Sequence, residues 1–180
     1  MNEIEQNNNS RKAPTHPSDN KGSRNKQSNR KRKKPQSKGL RILYTNPRGA
    51  TGKIQSIEAD AHAYDAHYIA LAETKFSAKP LPIKGYKWFY RNRENRDGGG
   101  VAIAARDDLY KSTIEVKNLE DHDQEILWVQ MKSLPETTFL GVYYGKQESD
   151  SREDVKTEFS QIQTQIRKLE EVGSVILVRL

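Results

Sequence analysis

Arg41-Ile-Leu-Tyr-Thr45-Asn-Pro-Arg-Gly49 opens a stretch that closes with Tyr68-Ile-Ala-Leu-Ala72-Glu-Thr74, and the reading of these two segments decides the fold. The first is a short β-rich run stopped by turn residues, so it predicts a strand followed by a turn. Between the segments, Ile54, Ile57, Ala61 and Tyr64 recur at helical spacing, which predicts a helix over 53–64. The second segment is a nearly continuous apolar run of strand length. Strand, helix and strand in this order predict a right-handed βαβ unit whose strands run parallel. Asn46 and Glu73 then stand at neighbouring carboxyl ends of parallel strands, where open α/β sheets place their sites.

Beyond Pro80 and Pro82 the pattern changes to short β-like runs separated by turn residues: Tyr86 to Arg91, Gly100 to Ala105, Ser112 to Val116, Glu125 to Met131 and Phe139 to Tyr144. They predict an antiparallel stretch. Val155, Phe159, Ile162, Ile166 and Leu169 then mark the apolar face of a helix over 152–172, stopped by Gly173. Ser174 to Val178 reads as a buried strand.

Upstream of Leu40 the composition shifts. The chain has 180 residues, enough for one domain and a tail but not for two full-sized domains. Its formal charge is +7, yet residues 1–39 hold 11 Lys or Arg against 3 Asp or Glu, and the remaining residues hold 20 against 21. All the excess basicity lies in the tail. Met1, Ile4 and Ala13 are the tail's apolar residues, too few to offset ordering entropy, so 1–39 is expected to be a disordered basic tail and 40–180 the folded domain. Arg30-Lys-Arg-Lys-Lys34 before Pro35 suits nuclear import or contact with phosphate backbones, with a solvated charge run as the plainer alternative. The absence of cysteine excludes disulfides, thiolate zinc sites and cysteine nucleophiles. No run of eighteen apolar residues occurs and the chain opens on polar residues, so the expectation is an intracellular protein, nuclear or cytoplasmic, without a membrane partner.

Candidate chemistry is sparse when each motif stands alone. Gly49, Gly52 and Lys53 do not make a phosphate-binding P-loop, because Pro47 holds the first glycine position and Ile54 follows the lysine. His62 and His67 are five apart and do not share a helical face. Glu73, a carboxylate directly behind an apolar strand, suits Mg²⁺, which takes one or two carboxylates plus phosphate and water, although an exposed strand-end glutamate is the simpler reading. Asn46 before Pro47 is a turn residue whose amide could also orient a ligand. Arg91, Arg93 and Arg96 feed Gly98-Gly-Gly100, a basic loop able to track a phosphodiester backbone or merely a solvated hairpin. Tyr143 and Tyr144 point to opposite faces of a strand, so one of them at most faces a site.

Taken in order, Asn46 after the first strand, Leu-Ala-Glu73-Thr74 after the second, Gly98-Gly-Gly-Val-Ala-Ile103, and Gly-Val-Tyr-Tyr144 before the amphipathic helix resemble the endonuclease/exonuclease/phosphatase family. Within it they resemble the endonuclease domains of non-LTR retrotransposons, over about Leu40 to Val178. The resemblance implies a two-sheet α/β sandwich and a phosphodiesterase dependent on Mg²⁺ or Mn²⁺ that nicks DNA, with a reverse transcriptase continuing the full-length relative. It implies Glu73 as metal ligand, Asn46 beside the metal and scissile phosphate, Tyr144 as the phosphate-contacting tyrosine, and Arg91, Arg93 and Arg96 on the substrate. Where the family continues into Gly-Asp-x-Asn after its strand, Arg179-Leu180 stands here. The expectation is therefore a partial sandwich, without useful cleavage by this chain alone and prone to self-association. A non-catalytic nucleic-acid-binding fragment and a phosphatase-type member of the same family are the competing functions.

Overall fold

Tyr68-Ile-Ala-Leu-Ala72 forms a strand buried along its whole length, because both of its faces are covered. Tyr68, Ala70 and Ala72 face a second sheet, while Ile69 and Leu71 face a helix. In the computed structural model, which describes residues 39–93, 98–119, 124–145 and 151–179, this strand is β2. The basic tail with its Arg30–Lys34 cluster, and Arg96 in the arginine loop, lie outside the described residues.

Strand β1 (Ile42–Thr45) pairs with β2 (Tyr68–Ala72) in parallel, Thr45 opposite Leu71, with helix α1 (Ile54–Ala63) between them. A single turn of 3-10 helix, Thr51–Lys53, leads into α1. Ile54, Ile57 and Ala61 are buried against the sheet, each isoleucine contributing about 1.5–3 kcal/mol by leaving water. Tyr64, read from its spacing as part of this face, is 68% exposed, because the helix has ended and the chain turns away at Asp65, where φ is +49°.

Two further strands, β3 (Tyr86–Arg91) and β4 (Val101–Arg106), complete the first sheet in the order β1-β2-β4-β3, with β4 antiparallel to both neighbours. A short helix α2 (Asp107–Tyr110) leads to the second sheet: β5 (Thr113–Glu115), β6 (Ile126–Met131), β7 (Thr138–Tyr143) and β8 (Ser174–Arg179), in that order. The first three of these pair antiparallel, and β8 joins β7 in parallel after helix α3 (Arg152–Glu170). The inner faces of the sheets meet in a core of Val101, Ile103, Leu127, Val129, Met131, Leu140 and Val142 among others. With α1 outside one sheet and α3 outside the other, the architecture is a two-sheet α/β sandwich. No helix among the described residues is long and apolar enough to cross a membrane.

Two expectations need correction. Strand β8 is half-buried rather than buried, since it is the end strand of its sheet and has β7 on one side alone. Helix α3 is rotated from the face that apolar spacing predicts: Glu158, Ile162, Gln165 and Leu169 are buried, while Phe159 is 41% exposed. Polar residues occupy that face because they have partners. Gln165 accepts a hydrogen bond from the Trp128 indole at 2.9 Å and donates to Gln124 at 2.8 Å, and Gln124 donates to Gln161 at 2.7 Å. Phe159 instead lies under the Arg179 guanidinium, 4.5 Å from its ring centre.

Candidate functional site

Parallel pairing of β1 and β2 delivers Asn46 and Glu73 to the same end of the first sheet, one residue beyond each strand. Asn46 Oδ1 accepts from the Arg48 backbone N–H at 2.9 Å, making the turn that follows β1, and the Asn46 side chain hydrogen-bonds the Glu73 carboxylate. The two loops are also stitched by backbone bonds, Gly49 N–H to Glu73 O at 2.9 Å and Ala50 N–H to Thr74 O at 2.7 Å.

The backbone here is held in uncommon geometry. Arg48, Glu73 and Lys75 are three of the four described non-glycine residues with positive φ, at +49°, +58° and +51°. Each such residue costs about 1–3 kcal/mol and persists where its surroundings enforce it. The enforcement comes from the glycine loop, whose Gly100 and Gly99 carbonyls accept from Thr74 N–H at 3.0 Å and Lys75 N–H at 2.8 Å. A side chain at Gly99 or Gly100 would be strained, by the positive φ of each and by close neighbours. An added Cβ would stand 2.2 Å from Glu125 Oε2 at the first and 2.7 Å from Thr74 Oγ1 at the second, with φ of +65° and +83°.

Electrostatically, Glu73 is a half-buried carboxylate among cations. Burial pushes its pKa up, but hydrogen bonds from Lys75 and Asn46 and the charges of Lys75 and Arg48 together outweigh it, so the group is held below its ordinary value and is ionised. The Lys75 ammonium lies 3.0 Å from Glu73 Oε1. Among the described residues, no group of three or more His, Asp or Glu side chains could hold a metal ion. Glu73 and Asn46 nevertheless fit part of the oxygen set of a Mg²⁺ site, which is commonly one or two carboxylates completed by water and substrate phosphate.

From the second sheet, Tyr144 follows β7 and its backbone N–H donates to Glu125 O at 2.9 Å. Its ring joins the core between the sheets, whereas Tyr143 belongs to the outer cluster under α3, so of the two it is Tyr144 that lies on the side of Glu73. Burial, followed by the negative charge of Glu73, pushes the Tyr144 phenol up, which keeps it protonated and a donor. Arg93 stacks over the Tyr144 ring at 5.8 Å and pairs with Glu125, whose other oxygen accepts from Gly100 N–H. Burial pushes Glu125 above its usual range against the opposing pull of Gly100 and Arg93. Arg91 donates to Ile126 O at 3.3 Å. Arg91 and Arg93 are thus anchored at the start of β6 rather than projecting freely.

Sequence reasoning did not single out Lys75, Arg48 or Glu125. The signal for Lys75 is its place two residues past Glu73 in a turn. Glu125 offered a carboxylate at the head of an apolar strand, the opposite end from the one that drew attention to Glu73.

No family model matches the sequence, and no curated protein matches it. Among solved structures, the chain is similar to the endonuclease domain of TRAS1, a telomere-specific non-LTR retrotransposon, with a TM-score of 0.58 and 19% identity over 78% of this chain and 59% of that one. The catalytic domain of Xenopus laevis APE2 gives a TM-score of 0.59 at 18% identity, over 78% of this chain and 57% of that one. A 3′–5′ exonuclease from Neisseria meningitidis gives 0.61 at 13%, with coverage of 78% and 57%. The chain therefore spans less than two thirds of the length of these proteins. At these identities the likeness establishes the fold, which is that of endonuclease/exonuclease/phosphatase proteins.

Proposed function

We propose, with the endonuclease/exonuclease/phosphatase fold as premise, that the chain carries part of the active site of a divalent-metal-dependent phosphodiesterase acting on DNA. The observation that carries this reading is the ionised Glu73 carboxylate, hydrogen-bonded to Asn46 at adjacent strand ends, with Tyr144 on its side from the opposite sheet. Glu73 and Asn46 would hold Mg²⁺ or Mn²⁺, which when bound offsets charge developing on a phosphoryl oxygen. The protonated Tyr144 hydroxyl donates to a phosphate oxygen, and Arg48 and Lys75 draw the polyanion to this end of the sandwich. Arg91, Arg93 and Arg96 are assigned to the DNA backbone in the same proposal. A nuclear location resting on Arg30–Lys34, and a reverse transcriptase joined to a full-length form, belong to it as well.

The test is nicking of supercoiled plasmid in Mg²⁺ or Mn²⁺ by this chain and by its extension to the full fold, each with Glu73→Gln. Metal-dependent nicking by the extended protein that falls by several orders of magnitude in the variant supports the assignment. The 180 residues alone, with Glu73 the one carboxylate placed at the site among the described residues, are expected to bind DNA without useful cleavage. The cations Arg48 and Lys75 beside that single carboxylate also favour a second reading, a nucleic-acid-binding module without catalysis. Salt-sensitive DNA binding that survives both metal chelation and Glu73→Gln, with no nicking by either protein, would establish that reading instead. Release of phosphate from a 3′-phosphorylated oligonucleotide in place of nicking would point to the phosphatase-type member.

A further inference from the structure

Lys75 occupies a position with few degrees of freedom. Its backbone is in the left-handed region, with φ of +51°, and its N–H is fixed to Gly99 O at 2.8 Å. Its aliphatic stem runs between two glycine loops: a Cβ added at Gly49 would lie 3.8 Å from Lys75 Cδ, and one added at Gly98 would lie 3.6 Å from Cε. The ammonium that emerges sits 3.0 Å from Glu73 Oε1, while Asn46 hydrogen-bonds the same carboxylate. Lys75 is 44% exposed and Glu73 16%, so the cation is on the open side of the pair and the anion on the closed side. Any other cation that approaches Glu73 from solvent meets the ammonium first, and both cannot bind the same oxygen without strong like-charge repulsion.

We propose that Lys75 is a resident counter-ion of Glu73 which a divalent metal must displace, so that metal binding is weak until a substrate phosphate accepts the displaced ammonium. This deepens the phosphodiesterase reading and rests on it. Without substrate, the ion pair spares Glu73 the cost of a half-buried unpaired carboxylate. With substrate, a phosphate oxygen offers Lys75 an equivalent anion, and the stem is long enough to swing while its backbone stays fixed. Metal and phosphodiester then bind with positive coupling, each raising the affinity of the other by the same factor.

The experiment measures Mn²⁺ binding to the metal-free chain by electron paramagnetic resonance of free Mn²⁺, with and without a short duplex oligonucleotide. It compares the wild-type protein with Lys75→Gln, Lys75→Met and Lys75→Arg, each verified as folded by circular dichroism. The two neutral substitutions provide for the case in which one of them disturbs the turn. The expected result is Mn²⁺ affinity without DNA about tenfold or more tighter in the neutral variants, unchanged in Lys75→Arg, and lost when Glu73→Gln is added. The oligonucleotide is expected to tighten Mn²⁺ binding in the wild type by a larger factor than in the neutral variants. Equal affinities across all Lys75 forms, with binding still dependent on Glu73, would overturn the proposal and leave the phosphodiesterase reading standing. Mn²⁺ binding by none of the forms, with or without DNA, would also overturn it, and the phosphodiesterase reading would then be decided by nicking with the extended protein.

Discussion

Gly99 shows how much of the site depends on one missing carbon. Gly99→Ala would place a methyl group into the Glu125 carboxylate while forcing alanine to φ of +65°, and is expected to cost about 1–3 kcal/mol, read as a lowered urea midpoint. His67 offers a second prediction at this scale. Its Nδ1 accepts from the Arg41 backbone N–H at 3.0 Å, and burial followed by the charges of Arg41 and Arg106 holds its pKa below the ordinary 6.5, against the weaker pull of Asp65 and Asp108. The folded state therefore resists a proton that the unfolded chain accepts. Stability is retained above 6.5 and is expected to fall as pH drops from that value through the folded pKa. His67→Asn, whose Oδ1 can still accept from Arg41, should flatten that dependence in urea titrations at stepped pH. Neither effect was legible in the sequence, because the groups that meet Gly99 and His67 come from distant segments. Asn46 and Glu73 were legible, since adjacency of their strands follows from one local βαβ unit.

At the scale of elements, local pattern and partner geometry divided the information. Strand β2 was readable to its last residue because a strand covered on both faces has no reason to alternate. Helix α3 was readable in extent but not in rotation. Val155 and Phe159 advertised an apolar face, whereas Gln165 could be buried in their place because Trp128 and Gln124 satisfy it. Gln165→Leu is accordingly expected to destabilise the domain by about 1–3 kcal/mol despite adding an apolar side chain, since it strands the buried indole N–H and the Gln124 amide. Thermal unfolding of this variant beside Phe159→Ala tests the point, because loss at the half-exposed phenylalanine should be the smaller of the two. The helix start needs no tertiary help. Ser151 Oγ accepts from Asp154 N–H at 3.1 Å, and Ser151→Ala is expected to cost about 1 kcal/mol in the same assay.

For the molecule as a whole, the order of strands was the least legible feature, because β4 inserts between β2 and β3 and that pairing joins segments with no local cue. The order matters for behaviour in solution. β1 and β8 each end one sheet, as β3 and β5 do at the opposite edges, and the inward side chains Ile42, Tyr44, Ile176 and Val178 of β1 and β8, with Leu40 just ahead of β1, are only partly buried. The Tyr44 hydroxyl is enclosed among them without a hydrogen-bond partner. Two open edges beside incompletely covered apolar side chains favour strand pairing between molecules. Sedimentation velocity over a concentration series is expected to show self-association of the 180-residue chain, and a monomer at every concentration would contradict it. The parallel registration of β8 on β7, with Arg179 beside Tyr143, has a practical consequence too. Tyr144 follows Tyr143 directly, so the end of β8 lies beside the residue that precedes Tyr144. Under the proposed function, a bulky handle attached beyond β8 is expected to weaken DNA binding, whereas a small environment-sensitive fluorophore there is expected to report occupancy.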